Sequence, residues 1–155
     1  MLTTETPAPP FELPNQHGET VSLSAFDGQY VVVYFYPRAD TPGCTTEACE
    51  FRDSWDEYAE ANVGVVGISD DPVKDLADFA GKYDLPFDLL SDEDGSVSAR
   101  YDTYGEKNMF GNTFDGVFRN TYVVGPEGSI VATFEGVDPE EHATEVLEAI
   151  EQRRE

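Results

Sequence analysis

The fold of this chain is decided by one stretch, YVVVYFYPRADTPGCTTEAC at residues 30–49. Its first seven residues are all β-branched or aromatic, which is typical of a strand buried on both faces of a sheet. Pro37 ends that strand because proline has no N–H to donate to a neighbouring strand. Thr41 and Pro42 suit the N-cap and the first position of a helix. The stretch therefore predicts a buried strand, a stiff loop and a helix that carries two cysteines.

The rest of the chain continues this alternation of strands and helices. The predicted strands cover residues 19–23, 30–36, 63–69, 87–90, 116–124 and 129–135. The predicted helices begin near residues 42, 72, 96 and 138. This order predicts an α/β protein with a thioredoxin-like fold, in which a central mixed β-sheet has helices on both faces. Since no repeat or change of composition divides the 155 residues, we expect a single domain, 1–155.

Charge is the unusual property of the composition. Asp and Glu number 32 against 9 Lys and Arg, a net charge of -23, while 39% hydrophobic residues still support a globular fold. Self-repulsion of this size destabilises a compact state in dilute salt, and molar salt screens it beyond about 3 Å. We hypothesise a halophilic-type acidic surface suited to a salty cytoplasm. The alternative is an acidic protein of ordinary habitat, whose stability does not rise with salt.

The composition also bears on partners and location. Nucleic acid is excluded as a partner because phosphate contacts need basic patches. No apolar run reaches the roughly 20 residues of a membrane span, and residues 1–15 lack the basic and apolar regions of a signal peptide. We therefore expect a cytoplasmic protein without a membrane partner. A structural disulfide is not the default in that compartment, which leaves Cys44 and Cys49 reactive, metal-bound or simply buried.

The placement of the two cysteines favours chemistry at the first. Cys44 falls in the first turn of the predicted helix, where unpaired N–H groups and the positive end of the dipole favour a thiolate. Thr41 offers a hydroxyl three residues earlier. Cys49 follows five residues later, which puts the two Cα atoms about 8–9 Å apart on a helix. A disulfide needs less than roughly 7 Å, so the cysteines pair only if the first turns unwind.

Other uses of these cysteines fit less well. A metal site is disfavoured because His17 and His142 offer no paired ligand spacing, and the Cys-x-x-Cys of thioredoxin-type redox sites is absent. Free cysteines are also common as small buried residues. On the residues alone, a reactive pair and two inert cysteines both stay open.

The segment from Tyr34 to Cys49 resembles the active-site segment of peroxiredoxins, whose signature spacing is met by Pro37, Thr41 and Cys44. The second cysteine five residues on, followed by Phe-Arg-Asp, is similar to the peroxiredoxin-Q group, also called bacterioferritin comigratory proteins. Weaker matches occur in the expected order at residues 8–11, 67–69, 90–92 and 105–107. The resemblance covers residues 7 to 150.

This resemblance implies a thioredoxin-dependent peroxidase that acts on hydrogen peroxide and organic hydroperoxides. Cys44 would become a sulfenic acid, Cys49 would form a disulfide with it, and a thioredoxin-like reductant would reset the pair. No metal or organic cofactor is implied, and we expect a monomer or weak homodimer. The alternatives are a disulfide oxidoreductase, which would reduce insulin, and a non-catalytic sensor that peroxide oxidises slowly.

The resemblance also implies the residues around the reacting sulfur. An arginine from a distant strand holds the thiolate and the peroxide in peroxiredoxins, and Arg119 lies at the matching position. Its guanidinium stays charged and offers several fixed donors. Pro37, Thr41, Gly43 and Arg119 are the expected substrate-binding residues, with the N–H groups of Gly43 and Cys44 stabilising charge on the leaving oxygen.

Overall fold

A five-stranded mixed sheet lies at the centre of the computed structural model, which describes residues 2–109 and 111–154. The strands are β1 (Glu12–Pro14), β2 (Thr20–Ser22), β3 (Tyr30–Phe35), β4 (Val63–Ser69), β5 (Asp88–Ser91), β6 (Tyr104–Met109), β7 (Asn112–Val117), β8 (Thr121–Val124) and β9 (Ile130–Phe134). The helices are α1 (Pro42–Asp53), α2 (Trp55–Glu60), α3 (Val73–Tyr83), α4 (Ser96–Arg100) and α5 (His142–Arg154), with a 3-10 turn at Leu23–Phe26.

The central sheet has the strand order β5-β4-β3-β8-β9. β3 and β4 are parallel, as are β4 and β5, whereas β8 pairs antiparallel with both β3 and β9. β3 is the middle strand, with Val32 paired to Val65 on one side and to Val123 on the other. This position explains its uninterrupted apolar sequence. The predicted buried strand and the central mixed sheet are confirmed.

The two faces of this sheet bury separate apolar clusters. Val32 and Tyr34 lie on one face, beneath buried side chains from α1, α2, α3 and α5. Val33 and Phe35 lie on the other, beneath α4, β7 and the N-terminal segment that includes β1. Helices therefore cover both faces as predicted, with most of them on the face that carries α1. In the described part of the chain, no helix is long and apolar enough to cross a membrane.

The prediction of one strand over residues 116–124 is wrong. β7 ends at Val117 and pairs with β6 in a hairpin that was not predicted, and β8 begins only at Thr121. Between them the chain changes partner: the Phe118 N–H donates to the Thr103 carbonyl, and the Asn120 carbonyl accepts from Phe35 at 2.8 Å. We call residues 118–120 the crossing segment. It carries the chain from the hairpin to the central sheet.

Two helix boundaries also differ from the prediction. The helix that begins at Pro42 is divided at Ser54 into α1 and α2. The last helix begins at His142 rather than near residue 138, because the Asp138 carboxylate accepts the Glu140 N–H within a preceding turn. The predicted apolar stripe of this helix, Ala143, Val146, Leu147 and Ile150, is buried as expected.

Candidate active site

Cys44 lies in the first turn of α1, just beyond the C-terminal end of the central strand β3. Only 1% of the side chain is exposed. Pro42 occupies the start of the helix, and the Thr45 N–H donates to the Thr41 carbonyl at 2.8 Å. The N–H groups of Gly43 and Cys44 therefore precede the first intrahelical hydrogen bond, at the positive end of the helix. The structure thus places the sulfur where backbone donors favour an anion.

Arg119 contacts the sulfur directly. Its Nη2 donates to Cys44 Sγ at 3.2 Å, and its Nη1 donates to Glu47 Oε1 at 2.9 Å. The expected pairing of Arg119 with Cys44 is therefore present in the structure. The arginine lies in the crossing segment, however, and not on a strand as predicted. It reaches α1 because the chain at this point leaves the hairpin for the middle of the sheet.

Gly43 contributes by having no side chain. A Cβ added to Gly43 would lie 3.0 Å from Arg119 Nη2 and 3.6 Å from its Cζ. The guanidinium therefore lies against the bare backbone of the first helical turn. The sequence predicted a role for the N–H group of Gly43. The structure adds a second requirement, because a side chain at position 43 would crowd the guanidinium of Arg119.

Glu47 is a site residue that sequence reasoning missed. Its side chain is fully buried, and burial raises its pKa to about 7, against the opposing effect of Arg119. Its Oε2 has no hydrogen-bond partner among the described residues. The missed signal was the spacing, since Glu47 lies three residues after Cys44 and so shares its side of the helix. Arg119 thus joins the buried Cys44 and Glu47 side chains through one hydrogen bond to each.

Thr41 and Pro37 lie in the loop before α1. The Thr41 hydroxyl donates to the Arg38 carbonyl at 2.9 Å, so its proton is not directed at the Cys44 sulfur in this conformation. The lone pairs of the same oxygen stay available as acceptors. Pro37 is half-buried in the bend that follows β3. The structure keeps both residues beside the start of α1 without giving either a hydrogen bond to sulfur.

Cys49 is half-buried and, like Cys44, is a free thiol. α1 is continuous from Pro42 to Asp53, so both cysteines lie on an intact helix. Ideal helical geometry separates their Cα atoms by about 8–9 Å, beyond disulfide range. The structure therefore has the reduced pair on an ordered helix.

Tyr34 forms part of the buried wall next to this group. Its ring stacks on Phe51 of α1 with centroids 4.8 Å apart, and its hydroxyl end lies against Gly67, where a Cβ would come within 2.8 Å of the oxygen. Burial is the main cause that raises the pKa of Tyr34. The charges of neighbours that include Glu47 and Cys44 raise it further. The ring is therefore neutral, and it packs against α1 at Phe51.

Comparisons with known proteins agree on one family. The family model described as "AhpC/TSA family" matches residues 4–133. The chain is 46% identical over 140 residues to the peroxiredoxin Bcp of Escherichia coli K12, with 90% of each chain covered. It is 40% identical over 143 residues to the peroxiredoxin Bcp of Bacillus subtilis, covering 92% of this chain and 91% of the relative.

Solved structures give the same result. A structure of the bacterioferritin comigratory protein of Xanthomonas campestris, a protein with alkyl peroxide reduction activity, superposes with a TM-score of 0.88 at 34% identity. The match covers 94% of this chain and 92% of that one. The thioredoxin-like fold predicted from the sequence and the resemblance to peroxiredoxin-Q proteins are confirmed.

Proposed function

We propose that Cys44 is the peroxide-attacking nucleophile of this protein and that Cys49 is its resolving residue. The chain belongs to the AhpC/TSA family, in its peroxiredoxin-Q or bacterioferritin comigratory group, and is a thiol peroxidase. The observation that carries this proposal is the 3.2 Å contact between Arg119 Nη2 and Cys44 Sγ in the first turn of α1. A fixed guanidinium beside a buried sulfur attracts the thiolate, which is the nucleophilic form.

In the first step the Cys44 thiolate attacks the terminal oxygen of a hydroperoxide, ROOH. An S–O bond forms and the O–O bond breaks, so Cys44 is oxidised to a sulfenic acid and RO⁻ leaves. The alkoxide, or hydroxide from hydrogen peroxide, takes a proton from water. Arg119 and the N–H groups of Gly43 and Cys44 stabilise the negative charge as it moves from sulfur to oxygen.

Thr41 orients the hydroperoxide in this proposal. Because its hydroxyl proton is donated to the Arg38 carbonyl, the oxygen presents lone pairs to the site. A hydroperoxide O–H can donate to those lone pairs while Arg119 donates to its oxygens. Pro37 restricts the backbone of the loop that carries Thr41. The loop thus supplies an acceptor and the crossing segment supplies donors.

In the second step Cys49 condenses with the sulfenic acid. Its sulfur attacks Cys44 Sγ, a disulfide forms, and the hydroxyl leaves as water after taking the Cys49 proton. The first turns of α1 must unwind for this step, because the helix holds the two Cα atoms about 8–9 Å apart. The nucleophile is therefore preorganised in one conformation and resolved in another.

In the third step a thioredoxin-like dithiol reduces the disulfide. One thiolate of the reductant attacks a sulfur of the pair, and the second reductant thiol then displaces the protein's thiol from the mixed disulfide. The protein pair returns to two thiols and the reductant leaves as a disulfide. An exposed disulfide on an unwound segment is accessible to such a partner.

A coupled assay tests the proposal. Purified protein receives NADPH, thioredoxin reductase, thioredoxin, and either hydrogen peroxide or cumene hydroperoxide. We expect NADPH oxidation that requires thioredoxin, peroxide and protein. In a separate assay with dithiothreitol and no thioredoxin, we expect the protein not to accelerate the reduction of insulin disulfides. Peroxide consumption that survives Cys44→Ser would overturn the role of Cys44, and insulin reduction without peroxide turnover would favour a disulfide oxidoreductase.

A further inference from the structure

Asp71 is a buried acidic residue in the turn between β4 and α3, and it has no part in the cycle above. Only 4% of it is exposed, and aspartate is rarely buried to this extent without a partner. Its Oδ2 accepts the Ala39 N–H at 2.7 Å and the Ser69 hydroxyl at 2.8 Å. The bond from Ala39 joins the end of the central sheet to the loop before α1, which carries Thr41.

The Ala39 N–H belongs to the same peptide group as the Arg38 carbonyl. That carbonyl accepts the Thr41 hydroxyl at 2.9 Å. A trans peptide group is planar, and its N–H and C=O point in opposite directions, so the direction of one fixes the direction of the other. Asp71 on one side and Thr41 on the other therefore hold a single peptide plane between them.

The conformation of this loop depends on bonds from outside it. Asp40, the next residue, has a φ of 57°, which is uncommon for a residue other than glycine. Its exposed carboxylate is tied to Lys82 and Tyr83 of α3. The bond from Ala39 ends instead on a buried carboxylate, where the low dielectric strengthens a charge-assisted hydrogen bond. Of these two restraints, Asp71 is the one that acts on the peptide group itself.

We propose, on the basis of the peroxidase function above, that Asp71 is a positioning residue for the reaction of Cys44 with peroxide and that it acts through Thr41. The Asp71 carboxylate orients the peptide group, whose Arg38 carbonyl then takes the Thr41 hydroxyl proton. The lone pairs of the Thr41 oxygen are thereby left for the hydroperoxide. Without Asp71 the peptide group can rotate, and the freed hydroxyl presents a proton where the hydroperoxide needs an acceptor.

The competing interpretation is that Asp71 only stabilises the end of β4. Ser91 of the neighbouring strand β5 offers a matched control, because its hydroxyl donates to the Asp71 main-chain carbonyl at 2.6 Å. Ser91→Ala weakens the same corner of the sheet and leaves the bond from Ala39 to the carboxylate in place. A role in stability alone predicts similar rates for Ser91→Ala and Asp71→Ala, whereas the positioning role predicts a slow reaction only in Asp71→Ala.

A double-mutant cycle tests the proposal, with the second-order rate constant of Cys44 oxidation by hydrogen peroxide measured by stopped flow. For Asp71→Ala we expect a loss of about tenfold, the size of one hydrogen bond to a charged group. Asp71→Asn keeps an acceptor oxygen for the Ala39 N–H and should stay within about threefold of wild type, and Ser91→Ala within about twofold. In a Thr41→Val background, which has no hydroxyl to orient, adding Asp71→Ala should cost less than about twofold.

A measurement on wild type keeps the proposal testable even if Asp71→Ala does not fold. The Ala39 amide should exchange slowly with solvent in NMR spectra, because its proton is held by the buried Asp71 carboxylate. An Ala39 amide that exchanges as fast as those of an exposed loop would show that the restraint is absent and would overturn the proposal.

The outcomes separate this inference from the proposed function. A loss in Asp71→Ala that is equally large in the Thr41→Val background overturns it, because Asp71 then acts by another route. An equal loss in Asp71→Asn or Ser91→Ala does so as well, since both keep the acceptor for Ala39, and so does a wild-type rate in Asp71→Ala. In all these cases the peroxidase stands. If wild type does not react with hydrogen peroxide through Cys44, the proposed function itself has failed.

Discussion

Cys44 and Cys49 lie five residues apart on the same helix, yet their surroundings differ. Cys44 is buried in the first turn and accepts a hydrogen bond from Arg119, beside the buried Glu47. Cys49 is half-exposed, and Arg52, three residues further along the helix, is already bonded to Asp53 at 3.0 Å. Position on the helix, and not residue type, thus separates the proposed nucleophile from the proposed resolving thiol.

Exchanging each cysteine for serine has the largest expected effect on this comparison. Stopped-flow mixing of Cys44→Ser with hydrogen peroxide should give no fast oxidation, because the attacking sulfur is gone. Cys49→Ser should keep the fast first oxidation and stop thioredoxin-supported cycling. Equal rates of first oxidation in the two variants would contradict the distinction between the cysteines. Continued cycling in Cys49→Ser would require another resolving thiol.

Arg119→Met is next in size. Loss of one preorganised donor to the reacting atoms costs about 100- to 1000-fold in rate. We expect that loss in the second-order rate of peroxide reaction, while alkylation of Cys49 proceeds at the wild-type rate. Arg153→Met, at the far end of the chain on α5, is the matched control for charge. An Arg119→Met rate within a few-fold of wild type would contradict the role of the guanidinium.

Glu47→Gln tests the surroundings of Cys44 through the pH dependence of stability. Because burial raises the folded-state pKa of Glu47 from 4.5 to about 7, its contribution to stability is complete below pH 4.5 and is lost as pH rises through 7. Because glutamine stays neutral, the free energy of unfolding of the variant should rise relative to that of wild type by about 3 kcal/mol between pH 4.5 and 8. Urea unfolding at several pH values measures this gain, and a difference independent of pH would rule it out.

His142→Gln probes the second half of α1, where His142 packs edge-on against Phe51 and its Nε2 lies 2.8 Å from Thr121 Oγ1. Burial lowers the pKa of His142 from 6.5 to about 4. Its contribution is therefore complete above pH 6.5 and is lost as pH falls through 4. The free energy of unfolding of the variant should rise relative to that of wild type by about 3 kcal/mol as pH falls from 6.5 to 4. For Glu47→Gln the corresponding rise comes as pH increases. A difference in the free energy of unfolding between variant and wild type that is the same at every pH would contradict this.

Asp40→Asn has the smallest expected effect and tests how α1 is held against α3. The Asp40 carboxylate accepts from Lys82 Nζ at 3.0 Å and from the Tyr83 hydroxyl at 2.9 Å, just before α1 begins. Weakening this exposed contact should slightly accelerate disulfide formation in stopped-flow traces, and molar salt should remove the difference. Asp56→Asn, on exposed α2, is the charge-matched control; identical traces for both variants would exclude a specific role.

Local sequence signals account for the parts of the site that were predicted. The apolar run of β3, the Thr41-Pro42 helix start and the spacing of the two cysteines are all written within twenty residues. Arg119 needed the family resemblance, since it lies 75 residues from Cys44 and nothing in its neighbourhood reveals the contact.

Long-range packing accounts for what was missed. The crossing segment exists because the chain exchanges β6 for β3 as its partner, which no local pattern encodes. Glu47 and His142 were overlooked because charged and titratable residues on helices are usually exposed. Both are buried here by elements distant in sequence. For Glu47 the partner is Arg119, and for His142 it is Thr121.

We propose that Cys44 reacts on an intact helix and is resolved only after that helix unwinds. Hydrogen exchange measured by mass spectrometry over residues 41–53, before and after one equivalent of hydrogen peroxide, tests it most directly. Wild type should form a Cys44–Cys49 disulfide and lose amide protection in this segment, while oxidised Cys49→Ser keeps its protection. A mapped Cys44–Cys49 disulfide with full protection of the segment would contradict the account.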